Sequence, residues 1–533
     1  MSILKNSEIK NDSLLETKVC IIGSGISAQL IASQLKNIEI IMIDSGKINY
    51  DQESQNLNQI EEIGIPFRKN SHNRIRQLGG SANLWANQLM ILKKKIVIPR
   101  NWVAKDFSFP FDYDSLLSLY KEAIETVYNN KFKNLNYLDP QKENIKNLFL
   151  EKEFLKTDIF ETYDHFWPSK VEKFNYKSNF TKNIINLNNL KFIENFTATE
   201  IKMNNEKQAI ESIKIQSKNK ACKIKANFFI IACGAIENAR LILNNEKFNK
   251  ILQNPNTGRY FMDHPRITLG EIKSNSKFPL SNLLGIKYND YDFRKSIRLT
   301  DDYQMEKKVL DGYAFLDPKY ETDDENNFEN FLNEIKILLK FKGFPKIKNI
   351  FSNYRKNFEQ IYLKLSPQIS NSHFNNLLRK IYNNKNYFFS FNRMYVNYQS
   401  EQYPNYESRM YLSPNKDYFN QHKAIIDWKL SNIDYKTYDE FVMALKNKLD
   451  LVPSLKFHEY KEKKITDASH HSGTTRMSLN RSDGVVDQNC KFHDIQNLFI
   501  SGSSVLRSAG SVNPGLTNMA MSIKLAKHIE KLL

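Results

Sequence analysis

The residues best suited to hold a phosphorylated ligand stand near the N-terminus, in KVCIIGSGISAQLIASQLKNIEIIMID over residues 18–44. Gly23-Ser24-Gly25 supplies a tight turn on which backbone can approach a pyrophosphate. The helix that follows would present free N–H groups and a partial positive charge to it. Ala28 stands where a third glycine commonly sits, and Asp44 falls where a carboxylate takes ribose hydroxyls. Those residues work only in a particular frame. Val19–Ile22 reads as a buried strand, Ile26–Leu35 has helical spacing, and Ile38–Ile43 is a second apolar run that ends at Asp44. Without the frame, glycines at this spacing are an ordinary turn. With it they make a dinucleotide fingerprint, and NAD and FAD both fit.

Two further stretches carry residues with chemical potential. Arg74 to Asn87 reads RIRQLGGSANLWAN, where Gly79-Gly80 and small neighbours would let backbone press against a flat ligand. The block Ser469–Leu533 is dense in small residues around His470 and Asn513, and it ends in a helical pattern. The four cysteines, Cys20, Cys222, Cys233 and Cys490, have no metal-ligand spacing; Cys20 and Cys233 sit in apolar strands and read as buried thiols. No metal site is expected.

At 533 residues the chain can build two or more domains with sizeable cores, and 41% hydrophobic content rules against disorder. The net charge of +18 would suit nucleic acid, yet the basic residues are spread along the chain and no nucleic-acid-binding motif accompanies them. No nucleic-acid partner is expected. The N-terminus, MSILKNSEIKNDSLLETK, is polar, and no unbroken apolar run reaches the roughly 18 residues of a membrane span. A cytoplasmic location is the expectation.

Several elements must position these groups. Pro110–Tyr128 is an amphipathic helix with Asp114 or Ser115 as its cap. Leu190–Ile201 and Ala209–Ile215 alternate as strands, Ile224–Ala235 is a buried strand ending at Gly234, and Glu237–Leu243 continues as a helix. Tyr387–Tyr398, Glu401–Leu412 and Ala424–Leu430 alternate like an antiparallel sheet. Glu321 to about Asn386 reads as an insertion with an apolar helical face. Between Lys336 and Lys364 it carries eight basic residues and one acid, so contact with a membrane surface or a partner competes with a helical hairpin packed over the substrate domain.

Taken together, five segments in order resemble the glucose–methanol–choline oxidoreductase family, and within it the branch acting on sugars and polyols. They are the fingerprint, the Gly-Gly-Ser segment, Phe229–Leu243 with Gly258–Pro265, Glu401–Leu430, and the C-terminal block. The last reads HHSGTTRM over 470–477, GVVD over 484–487, LFISGSS over 498–504 and NPGLT over 513–517. The resemblance implies an α/β fold in which a Rossmann-like FAD-binding domain is assembled from discontinuous segments, 1–100, 186–270 and 465–533. An α+β substrate domain with an antiparallel sheet would come from 101–185 and 271–464, the latter containing the basic insertion at 321–386.

The same resemblance implies FAD as cofactor and oxidation of a CH–OH group by proton abstraction and hydride transfer to flavin N5. His470 matches the family's base and Asn513 its partner; a histidine has a pKa suited to the proton, and an amide can support the developing alkoxide. Positions assigned to the cofactor are Gly23, Gly25, Ala28, Asp44, Gly79, Gly80, Ser81, Asn83, Ala86, Asn87, Ala198, Gly234, Ser503, Pro514 and Thr517. His264, in the Asp-His-Pro segment, reads as structural. Some relatives attach FAD covalently through a histidine where this chain has Leu84, so a non-covalent cofactor is expected. Ser501 replaces an acid common at its position. The electron acceptor is expected to be a quinone or carrier protein rather than oxygen. A non-redox lyase on the same scaffold, and a basic surface-binding protein with a vestigial flavin, are the alternatives.

Overall fold

The computed structural model describes residues 3–4, 8–66, 73–103, 108–128, 157–168, 173–204, 206–246, 250–279, 287–288, 291–318 and 390–533. The basic insertion expected at 321–386 lies outside them.

The largest core surrounds an eight-stranded sheet. Its strands, numbered in chain order, centre on β2 (Leu14–Ile22), which runs parallel to β3 (Ile40–Asp44) on one side and β9 (Ala221–Ile231) on the other. Beyond β3 lie β6 (Leu190–Glu194) and β1 (Ile3–Leu4), also parallel. The first half of β9 pairs antiparallel with β8 (Ala209–Gln216), which continues to β7 (Thr197–Asn204). Its second half pairs parallel with the short β18 (Leu498–Ile500). Val19–Ile22 and Ile40–Ile43 are buried throughout, the continuous apolar runs of strands covered on both faces. The chain leaves β2 through α1 (Ile26–Gln34) toward β3, while β9 arrives on the opposite side of β2. Ligands of open α/β sheets bind outside the carboxyl ends of strands at such a switch point.

A second sheet is antiparallel throughout. It orders β11 (Lys287–Tyr288), β12 (Tyr291–Leu299), β13 (Gly312–Pro318), β14 (Ser390–Ser400), β10 (Arg266–Pro279) and β17 (Leu455–Glu459), with β5 (Phe160–Pro168) also paired to β12. On one face α4 (Asn432–Asp450) lays Tyr438, Phe441 and Leu445 among Ile267, Leu269, Met394 and Val396. Side chains alternate along a strand, so Arg266 and Thr268 look the other way, where they bond Gln399 and Asn397 of β14. A third sheet joins β15 (Arg409–Lys416) to β16 (His422–Trp428), and β16 runs parallel to β4 (Ile60–Gly64).

Three expected elements differ in detail. The run Leu190–Ile201 is two strands, because Asn195 turns through φ +61° and Phe196 donates its N–H to the Asp44 carbonyl. The run Glu401–Leu412 is extended strand only from Arg409. Before it, Glu401 is buried against the Arg100 guanidinium at 2.8 and 2.5 Å and accepts from Ser508 at 2.8 Å, which draws the backbone off the sheet. The amphipathic helix α2 (Tyr113–Tyr128) starts later than Pro110, and the Asp112 carboxylate accepts the Ser115 N–H at 2.8 Å in the capping role expected of Asp114 or Ser115.

Gly79 fixes how the second glycine-rich loop meets the first. Its N–H donates to the Ser24 carbonyl at 3.0 Å, its φ is +94°, and a Cβ would overlap the Phe174 carbonyl. Gly79→Ala should lower unfolding stability by about 1–3 kcal/mol, the cost of such backbone strain, read as a shifted urea midpoint. An unchanged midpoint would mean that this loop moves freely.

Candidate active site

Three helix N-termini open onto one cavity of about 520 Å³ at the switch point. α1 begins after Gly25, α3 (Ala235–Glu246) after Gly234, and α5 (Gly515–Leu532) after Pro514. No side chain caps the first turn of α1 or α5, so their N–H groups are left to a ligand, and their dipoles favour an anionic one. A Cβ built on Gly25 or Gly234 would meet no protein atom within 4 Å, so both glycines face open space. The walls also hold polar atoms that call for a partner. Asn87 Nδ2, Asn513 Oδ1 and Asn518 Oδ1 are buried without a hydrogen bond among the described residues, an arrangement that costs about 1–3 kcal/mol each unless a ligand answers it. The cavity suits a polar, anionic ligand.

Asp44 lines this cavity at the end of β3. Burial pushes its carboxyl up, and hydrogen bonds from Ser24 Oγ (2.6 Å), Gly46 N–H (2.7 Å) and Ser24 N–H (3.0 Å) together with the Arg76 charge pull it back. Nearby, Arg74, Arg76 and Arg240 converge on Glu237 at 3.0, 2.8 and 3.1 Å, and Arg240 also reaches Asp417 at 2.5 Å. Glu237 is held well below the usual carboxylate range, against its burial, by these three cations. Burial brings Arg74 down to about 10, and the neighbouring guanidiniums add to that effect. Three guanidiniums thus face the carboxylates of Glu237 and Asp417, and the Arg76 charge also acts on Asp44. The sequence signal was present in the Arg-x-Arg spacing of 74–76 but carried no partner.

The same cavity is also lined by His470, His471, Asn513, Ser503 and Arg266. Asp263 organises the histidine loop. Its carboxylate accepts the backbone N–H of His264 (2.6 Å), Ala468 (3.0 Å) and His470 (3.1 Å). Burial, assisted by Asp467, raises this carboxyl to about 7 despite those donors. His471 Nε2 lies 3.6 Å from Asp263, and burial holds the imidazole down to about 4, so it is neutral. His264, expected to be structural, touches His470 directly, Nδ1 to Nδ1 at 2.8 Å.

Of the expected cofactor positions, Gly23, Gly25, Asp44, Gly80, Ser81, Ala86, Asn87, Ala198, Gly234, Ser503 and Pro514 line the cavity, as does Leu84. Ala28 is buried in the α1 core, Asn83 donates to the Leu78 carbonyl at 2.9 Å, and Thr517 bonds the Tyr120 hydroxyl at 2.9 Å. Together with Gly79 these hold the walls from behind. Arg266, Gln88 and Trp85 are wall residues that the sequence did not single out as such.

Residues 404–522 match the family model described as GMC oxidoreductase. Over that stretch the chain resembles the GMC oxidoreductases. The cofactor of this family is FAD, and the uncapped helix ends, open glycines and unpartnered amides are the groups such a dinucleotide needs. Whole-chain likeness to solved GMC structures is in fold. A fungal aryl-alcohol oxidase aligns over 98% of this chain and 100% of its own, at TM-score 0.56 and 10% identity. Pyridoxine 4-oxidase from Mesorbium loti aligns over 97% and 99%, at TM-score 0.53 and 11% identity. In sequence, pyranose 2-oxidase from Lyophyllum shimeji is 37% identical over 62 residues, which is 12% of this chain and 10% of that enzyme. Among the described residues, no helix is long and apolar enough to cross a membrane.

Filling the open space at Gly25 should separate cofactor from fold. Gly25→Val should change the unfolding free energy of flavin-free protein by no more than about 1 kcal/mol, an N-cap-sized effect. Its flavin content on purification, measured by visible absorbance, should collapse.

Proposed function

We propose that this chain binds one FAD without a covalent bond and oxidises the CH–OH group of a sugar, polyol or related alcohol. The observation that carries the reading is that His470 and Asn513, from separate loops, reach the same cavity as the glycine turn and the three helix ends. When bound, FAD supplies a two-electron acceptor whose N5 takes a hydride. His470 takes the hydroxyl proton of the carbinol, and Asn513 supports the oxygen as it gains negative charge. The short sequence match to pyranose 2-oxidase supports the sugar class. Leu84, exposed in the cavity wall, offers no atom for a covalent link. Electrons then pass to a quinone-like carrier or carrier protein, which the resemblance to sugar dehydrogenases favours.

Four measurements test this. Acid precipitation should leave the flavin in the supernatant; flavin in the pellet would refute non-covalent binding. In anaerobic single-turnover reduction with a screen of sugars and simple alcohols, His470→Ala should lose about 10²–10⁴ in rate while keeping FAD. Asn513→Ala should lose at most about 2.7–4 kcal/mol of transition-state stabilisation, one donor to a developing charge. The wild-type rate should rise with pH through an ionisation that is missing from His470→Ala. Any step that remains near 7 would then report Asp263. Peroxide formed as fast as an artificial quinone is reduced would make oxygen the acceptor.

A further inference from the structure

The contact between His264 and His470 determines where hydrogens sit. Two ring nitrogens at 2.8 Å need one hydrogen and one lone pair between them. The other nitrogen of His264, Nε2, is 2.8 Å from the Gly510 carbonyl oxygen, which can only accept. Nε2 of His264 therefore carries a hydrogen. His264 is fully buried, and burial together with the Arg266 charge holds it down to about 4. A neutral imidazole has a single N–H, so Nδ1 of His264 is a bare lone pair and the hydrogen in the contact belongs to His470.

We propose that His264 is a positioning residue that fixes His470 as the Nδ1–H tautomer, leaving Nε2 of His470 as the atom that accepts the substrate proton. The catalytic half of this proposal rests on the reading of His470 as the base. The contact is held from both sides. Asp263 binds the backbone N–H of both histidines, and the Gly510 N–H is tied to Ser508 Oγ at 3.0 Å, whose hydroxyl donates to buried Glu401. A carboxylate commonly does this work for a catalytic histidine and also stabilises the imidazolium that forms. Here a neutral imidazole does it, so the tautomer is set without an anion at Nδ1.

Two near-isosteric variants separate this role from simple packing. In His264→Asn the amide oxygen can stand where Nδ1 stood and still accept from His470. In His264→Gln the amide can reach Gly510 but leaves no acceptor at the Nδ1 place. In flavin-loaded protein, His264→Asn should reduce its flavin within about fivefold of wild type, and His264→Gln should lose at least about tenfold of the 10²–10⁴ that a general base contributes. Equal slowing of both variants would overturn the proposal. A second readout needs no turnover and no variant at His264. With ¹⁵N-labelled imidazoles and His470→Ala used to assign one of the ten histidines, wild-type His470 should show a protonated Nδ1 and a bare Nε2. A protonated Nε2 with bare Nδ1 would overturn the proposal whatever the substrate. The expected tautomer combined with a fully active His470→Ala would overturn the catalytic half and the functional reading together, while the tautomer assignment would stand.

Discussion

A single buried carboxylate joins the two halves of the site. Asp263 lies just before β10 of the antiparallel sheet, yet the N–H groups it accepts include those of Ala468 and His470, some two hundred residues onward. Its own N–H donates to Gln402 Oε1 at 2.9 Å, and the same oxygen accepts the Trp428 indole N–H at 2.9 Å. Substrate sheet, small sheet and histidine loop therefore meet on two side chains. A carboxyl pushed up to about 7 by burial is costly to keep ionised. Without it, three buried N–H groups would lose their acceptor, at about 1–3 kcal/mol each. The position of His470 depends on that balance.

Much of the cofactor side was legible because it is local. The glycine turn, α1 and β3 lie within thirty residues, and each carries its own signal: an apolar run, a helical period, a terminal acid. The expected bounds agree with Ile26–Gln34 and Ile40–Asp44 to within one or two residues. β2 begins earlier than the apolar run, at Leu14, because its first residues alternate between exposed and half-buried at the sheet end. Periodicity alone could not see that.

The parts that were not legible depend on contacts distant in sequence. Nothing around Glu401 announces that it turns inward to Arg100 rather than continuing a strand. The pairing of β4 with β16 joins a segment expected in the cofactor domain to one expected in the substrate domain. His264 looked structural because its partner lies on a loop that sequence spacing cannot bring near. Arg74 and Arg76 were visible as residues, but only the fold supplies Glu237 and Arg240 as their counterparts.

The strand β18 is three residues long and is inserted beside β9 by residues made long after it. Loop Gly502–Ser503 and the start of α5 follow directly, so the chain cannot close its cradle until translation has passed residue 515. Strands β2, β3, β6 and β9 can pair much earlier, with one apolar edge of β9 uncovered for the time it takes to make more than 260 further residues. Non-local parallel pairing of this kind is slow and leaves an exposed edge that invites aggregation. Cofactor capture in consequence waits until long after β9 has been made, and flavin supply during expression should govern how much protein survives as well as how much is active.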